Sequence, residues 1–191
     1  MAPLAGIKAV VFDIYGTLLI SGSGDTGLNC DESTAEAAMT EAFNAEGIVT
    51  TPTMELAKGR QRLILQEHSR LKAAGTEFPE VEIREIWKRL LAESHFTIPD
   101  DLLERVIMRH ECVVNPVWPM AGAKELLTEC QNRGLSMGII SNAQFYTRPL
   151  VEYLLGGSVE DLGFRKDLCL WSFKEREAKP SRELFARLGA L

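Results

Sequence analysis

Three apolar runs in this chain each lead to a side chain that can do chemistry. Lys8-Ala9-Val10-Val11-Phe12 stops at Asp13. Met137-Gly138-Ile139-Ile140 stops at Ser141-Asn142, and Leu168-Cys169-Leu170-Trp171-Ser172 is followed seven positions on by Lys179-Pro180. A short β-branched or aromatic run that ends at a polar group is expected to be a buried parallel strand. Such a strand delivers its last residue to the C-terminal edge of the sheet, where open α/β sheets bind ligands. A carboxylate placed there can work covalently, splitting a difficult hydrolysis into an aspartyl-ester or aspartyl-phosphate step and its hydrolysis. Asp13 is the candidate for that role. Taken alone, strand-Asp-x-x-Gly is equally a core strand with a polar terminus and a glycine turn, so the argument for a site rests on all three runs in their order.

The elements that must position these residues alternate along the chain. After the first run comes Ser21-Gly22-Ser23-Gly24-Asp25-Thr26-Gly27, which lacks the G-x-x-x-x-G-K-[ST] pattern of a phosphate loop and is expected to be a hinge linker. A helix capped by Ser33 or Thr34 follows, with Ala35, Ala38, Met39, Ala42 and Phe43 on one face and Gly47 as its stop. Thr51-Pro52-Thr53 opens a second helix through Ala57, Ile64, His68 and Leu71 to Gly75. Ile83, Ile86, Trp87, Leu90 and Leu91 form a third helical stripe, and Pro99-Asp100-Asp101 caps a fourth with Leu102, Leu103, Val106, Ile107 and His110 inward. No strand signal interrupts residues 33–113, and the charges at Arg60-Gln61-Arg62 and Arg84-Glu85 are expected on solvated faces. The Pro-rich stretch from Asn115 to Gly122 is a second hinge candidate. Beyond it come a helix to Arg133 with Leu126, Leu127 and Cys130 inward, the strand to Ser141-Asn142, and a helix with Pro149 in its first turn. The strand Leu168–Ser172, the Lys179 loop and a last helix over 181–188 complete the order, which implies parallel strands joined by right-handed crossovers.

Strand-Asp, strand-Ser-Asn and strand-then-Lys-Pro in this order resemble the first three motifs of the haloacid dehalogenase-like (HAD) hydrolases. Asp13-Ile14-Tyr15-Gly16-Thr17 is similar to the Asp-x-Tyr-Gly-Thr form of their first motif. The resemblance implies an α/β fold, a Rossmann-like parallel sheet core over residues 1–20 and 117–191, with an inserted all-helical cap over 21–116. It implies Asp13 and Lys179 as catalytic groups, Lys179 reaching the Asp13 carboxylate and countering charge that builds during transfer. It further implies Tyr15, Ser141 and Asn142 at the substrate, Ser141 through its hydroxyl and Asn142 touching substrate or fixing the loop, and Gly16 and Thr17 as the structural turn. The family's fourth motif, an acidic loop after the next strand, has no counterpart here. The expectation is therefore an incomplete sheet and the N-terminal part of a longer protein.

Tyr15 departs from the phosphatase form of the motif, where a second Asp protonates the leaving alkoxide, a role worth ~10²–10⁴ in rate. A phenol with a pKa of about 10 is a poor shuttle at neutral pH. Halides and activated groups such as acyl phosphates leave without that proton, so Asp-x-Tyr suits C–halogen cleavage and suits acyl phosphates too. Against dehalogenation, the helical region carries no recognised Arg pattern for a haloacid carboxylate. Mg²⁺, held by Asp13 and the Tyr15 backbone carbonyl, belongs to the phosphatase-type reading; a dehalogenase type needs no cofactor. The alternatives are a HAD-like domain that binds a ligand or partner without catalysis, and an inactive fragment of a longer hydrolase.

Composition agrees with a small-molecule enzyme. A chain of 191 residues, 46% hydrophobic and 25% charged, can bury a sizeable core, and the net charge of −6 without a Lys/Arg cluster gives no reason to expect nucleic acid or an anionic membrane. The expected partner is a small anionic substrate. Cys30, Cys112, Cys130 and Cys169 are widely spaced, so disulfides are not expected, and His110-Glu111-Cys112 are neighbours that point in different directions on a helix rather than a metal cluster. The N-terminus lacks a signal-peptide pattern and no apolar run reaches membrane-spanning length, so a cytoplasmic location is expected.

Overall fold

The computed structural model describes residues 6–22, 32–48 and 53–189. Residues 23–27 of the expected Ser21–Gly27 hinge, Cys30 and the Thr51-Pro52 start of the second helix lie outside the described residues. In chain order the elements are β1 (Ala9–Phe12), β2 (Leu19–Ser21), α1 (Glu32–Ala45), α2 (Thr53–Ala73), α3 (Ile83–Glu93), α4 (Asp100–Val114), β3 (Val117–Pro119), α5 (Ala123–Asn132), β4 (Ser136–Ser141), α6 (Thr147–Leu155), β5 (Phe164–Trp171), α7 (Ser172–Glu175) and α8 (Arg182–Gly189). They form two compact units, Met1–Ile20 with Trp118–Leu191, and Ser21–Val117.

The first unit is an α/β layer built on a parallel sheet of order β1-β4-β5. The register pairs Ala9 with Ser136 and Phe12 with Ile139, so Asp13 and Ser141 leave neighbouring strands at the same end. Between β4 and β5 the register slips: β4 advances from Met137 to Ile139 while β5 advances from Phe164 to Cys169. The core gathers Phe12, Ile14, Leu18, Leu127, Met137, Ile139, Val151, Leu155, Phe164 and Trp171, with Phe12 and Phe164 meeting edge to face at 5.9 Å. Such aromatic pairs add to the area they bury.

The second unit is helical. Ala38, Met39, Ala42 and Phe43 of α1, Leu63 and Ile64 of α2, all five stripe residues of α3, and Leu103, Val106 and Ile107 of α4 are buried, as the helical periodicity expects. Trp87 sits at the centre, 6.1 Å from the Phe43 ring and 5.3 Å from the imidazole of His110.

Several expectations are corrected. The expectation of a buried β1 is corrected: it lies at the edge of the described sheet, paired only with β4, and of its four residues Phe12 is buried while Val11 is 41% exposed. β5 begins at Phe164 rather than Leu168; three exposed residues, Arg165 to Asp167, interrupt its apolar signal. Leu126 is 47% exposed, since Leu127 and Cys130 already fill the buried face of α5. Pro99 occupies the α4 N-cap without a side-chain bond, and Asp100 and Asp101 place negative charge in the first turn. Arg60 is half-buried with its Nε enclosed, and Arg84 is half-buried against Glu82 and Glu104 at 2.9 and 2.7 Å, so neither belongs to a fully solvated face. Of the described cysteines, Cys130 is buried, Cys169 is half-buried and Cys112 is exposed; all three are free thiols.

Candidate active site

β1 hands over to a tight turn. Amides of Thr17, Leu18 and Leu19 converge on the Ile14 carbonyl, and the Gly16 amide donates to the Leu19 carbonyl at 2.7 Å. Gly16 holds φ 79°, a backbone region in which a Cβ is strained, which is why this position of the turn needs glycine. The turn fixes the Asp13 carboxylate just beyond the last strand residue.

Both carboxylate oxygens are engaged. Oδ1 accepts from the Ile14 amide at 2.8 Å and from the Ser141 hydroxyl at 3.0 Å, and Oδ2 lies 2.6 Å from Lys179 Nζ. The Asp13 side chain remains 38% exposed and that of Lys179 21% exposed, so the ion pair faces solvent on one side while Ser141 beneath it is fully buried. Asp13 and Ser141, from two neighbouring strand ends, and Lys179, from the turn between α7 and α8, therefore meet around one carboxylate.

Asn142 joins the group from the other side. Its Oδ1 accepts from the Lys179 amide at 2.7 Å, and its Nδ2 donates to the Lys179 carbonyl at 3.4 Å. Tyr15 turns its phenol to Thr147, Oη and Oγ1 being 2.9 Å apart, and Thr147 also accepts from the Gln144 amide at 3.2 Å. Sequence reasoning missed two residues that build this frame. Thr147 is fully buried at the start of α6, and Ser172, also fully buried, both accepts from the Ala143 amide at 2.8 Å and donates to the Ala143 carbonyl at 3.1 Å. Neither has a spacing signal, because each acts on a partner at least 29 residues away.

The donors expected for Mg²⁺ are the Asp13 carboxylate and the Tyr15 carbonyl. Asp13 already faces an ammonium on Oδ2 and two donors on Oδ1, and among the described residues no three His, Cys, Asp or Glu side chains gather as metal ligands. Mg²⁺ takes oxygen ligands in near-octahedral array, so this set does not by itself fit the ion.

A family model described as haloacid dehalogenase-like hydrolase matches residues 7–188. The chain belongs to this family of hydrolases. Among solved structures, this HAD-like chain is similar to L-2-haloacid dehalogenase from Xanthobacter autotrophicus, at 18% identity over 97% of this chain and 64% of that one, with a TM-score of 0.45. It is also similar to a predicted phosphoglycolate phosphatase from Haemophilus somnus 129PT, at 12% identity over 96% and 71%, TM-score 0.41. A third is the putative HAD-hydrolase YfnB from Bacillus subtilis bound to magnesium, at 16% identity over 95% and 71%, TM-score 0.43. The HAD-like chain thus spans about two thirds of the Xanthobacter enzyme's length. Comparison with curated proteins returns no match. No helix among the described residues is long and apolar enough to cross a membrane.

Proposed function

We propose that this HAD-like chain carries the nucleophilic site of a hydrolase that cleaves a small anionic substrate by covalent attack of Asp13, with a leaving group that departs unprotonated. The observation behind the reading is the Asp13 carboxylate held between Lys179 Nζ at 2.6 Å and Ser141 Oγ at 3.0 Å while more than a third of its side chain stays open. Ser141 and Lys179 orient the carboxylate, and Lys179 offers positive charge to an anionic substrate and to the charge that builds during transfer. The phenol at position 15, the place where a phosphatase-type proton donor would stand, is bonded to Thr147 instead. That favours C–halogen cleavage: an Asp13 oxygen bonds to the carbon as the halide leaves with its electron pair. Water then attacks Cγ of the resulting ester and releases a hydroxy acid that keeps one former carboxylate oxygen. No step is routed through a metal. Residues 21–116, the helical insertion, serve in this reading as the cap that selects the substrate.

The test is an assay of the full-length protein against 2-halo acids and phosphate esters, each with Mg²⁺ and with chelator. Halide release that ignores chelator supports the reading. Mg²⁺-dependent phosphate release with no halide release would sink it in favour of phosphatase-type chemistry on the same carboxylate.

A further inference from the structure

Lys179 has no strand or helix to fix it. It lies in an irregular turn between α7 and α8, and its side chain must still place Nζ 2.6 Å from Asp13 Oδ2. What holds its backbone is a side chain. The Asn142 amide, one acceptor and two donor hydrogens, engages both the N–H and the C=O of Lys179, as a neighbouring strand residue would. The same device runs in the opposite direction one step along. The Ser172 hydroxyl, at the end of β5, accepts from the Ala143 N–H and donates to the Ala143 C=O. Residue 142 therefore clasps the segment after β5, and residue 172 clasps the segment after β4.

We propose that Asn142 and Ser172 are positioning residues, which set the Lys179 ammonium on the Asp13 carboxylate rather than touching substrate; the inference rests on the proposed role of Lys179 in the site. Each clasp alone leaves the turn a remaining freedom, the Asn142 side chain being only as fixed as the Ala143 peptide next to it. Ser172 is fully buried, so water does not compete for its two bonds, and it anchors that peptide. Asn142 then transmits the anchor to Lys179. A displacement of an ångström at a catalytic group can cost ~10²-fold in rate, so the clasps matter to turnover without meeting the substrate.

Two readouts on the full-length protein test this, using Asn142→Ala and Ser172→Ala, which break the two clasps independently so that one badly folding variant leaves the other. The first needs no turnover: trace acylation of lysines, read residue by residue by mass spectrometry. In both variants Lys179 labelling rises severalfold relative to the exposed Lys124 and Lys166 at unchanged fold content; unchanged relative labelling of Lys179 overturns the proposal. The second uses 2-chloropropionate and p-nitrophenyl phosphate as probes. With whichever is turned over, kcat falls ~10- to 100-fold at nearly constant KM, and in a Lys179→Ala background Asn142→Ala costs nothing more, the signature of acting through that residue. A raised KM with kcat intact, or losses that multiply, makes Asn142 a substrate ligand and overturns the inference alone. Full activity of Lys179→Ala overturns the functional reading itself, while the labelling still judges whether the clasps place the ammonium.

Discussion

The phenol oxygen of Tyr15 and the hydroxyl of Thr147 lie 2.9 Å apart although 132 residues separate them, tying the turn after β1 to the first residue of α6. In the proposed reading, a phenol in that bond serves the frame rather than the reaction. Tyr15→Phe is therefore expected to keep kcat within a few fold while losing about 1 kcal/mol of stability in denaturant unfolding. Thr147→Val, which removes a partner from both Tyr15 and the Gln144 amide, is expected to cost more, ~2–3 kcal/mol. A loss of two orders of magnitude in kcat for Tyr15→Phe at unchanged stability would mean that the phenol moves a proton.

Gly138 lies where β4 and β5 approach closely. A Cβ there would stand 2.6 Å from the Leu168 carbonyl oxygen and 2.8 Å from its Cβ, at the point where the strand register slips. Backbone cannot yield as a flexible side chain can, so Gly138→Ala is expected to destabilise by ~1–3 kcal/mol and to lower activity by shifting Ser141. Equal unfolding midpoints for variant and parent would show that the two strands are further apart than described.

His110 is expected to make the helical unit acid-sensitive. Burial, aided by the nearby Arg60 charge, holds its imidazole down to about 3, and its Nε2 has no hydrogen-bond partner. The unfolded chain binds this proton from about pH 6.5 downward, whereas the native state refuses it until near pH 3. Stability is thus fully present above pH 6.5 and lost as pH falls through that window, by at most ~1.4 kcal/mol per pH unit from this group. His110→Phe, which keeps a ring against Trp87, should flatten the fall in melting temperature between pH 7 and pH 5. An identical pH slope in parent and variant would remove His110 from the account.

Much of this architecture could be read from residue pattern because it depends on local periodicity. The helical stripes Ala38-Met39-Ala42-Phe43 and Ile83-Ile86-Trp87-Leu90-Leu91 are buried as their spacing requires, and the strand ends at Asp13 and Ser141 fall where the apolar runs stop. Strands of three residues, such as Leu19–Ser21 and Val117–Pro119, carry too few positions to show a period. The partnerships of Tyr15 with Thr147 and of Ser172 with Ala143 follow from tertiary placement alone, since a Thr or Ser in a loop has local capping uses that look the same in sequence. The enclosed Nε of Arg60 was hidden for a similar reason: its neighbours Gln61 and Arg62 are exposed, and the run looks polar throughout.

The central claim is that Asp13 forms the covalent bond, and a single-turnover reaction in ¹⁸O-water tests it most directly. With excess full-length enzyme over a 2-halo acid, hydrolysis of the ester at Cγ must leave one heavy oxygen in the peptide that contains Asp13, while the released hydroxy acid carries the light oxygen that Asp13 donated. Heavy oxygen in the product of that first turnover, with the Asp13 peptide still light, would mean that water attacks the substrate directly and that Asp13 is not the nucleophile.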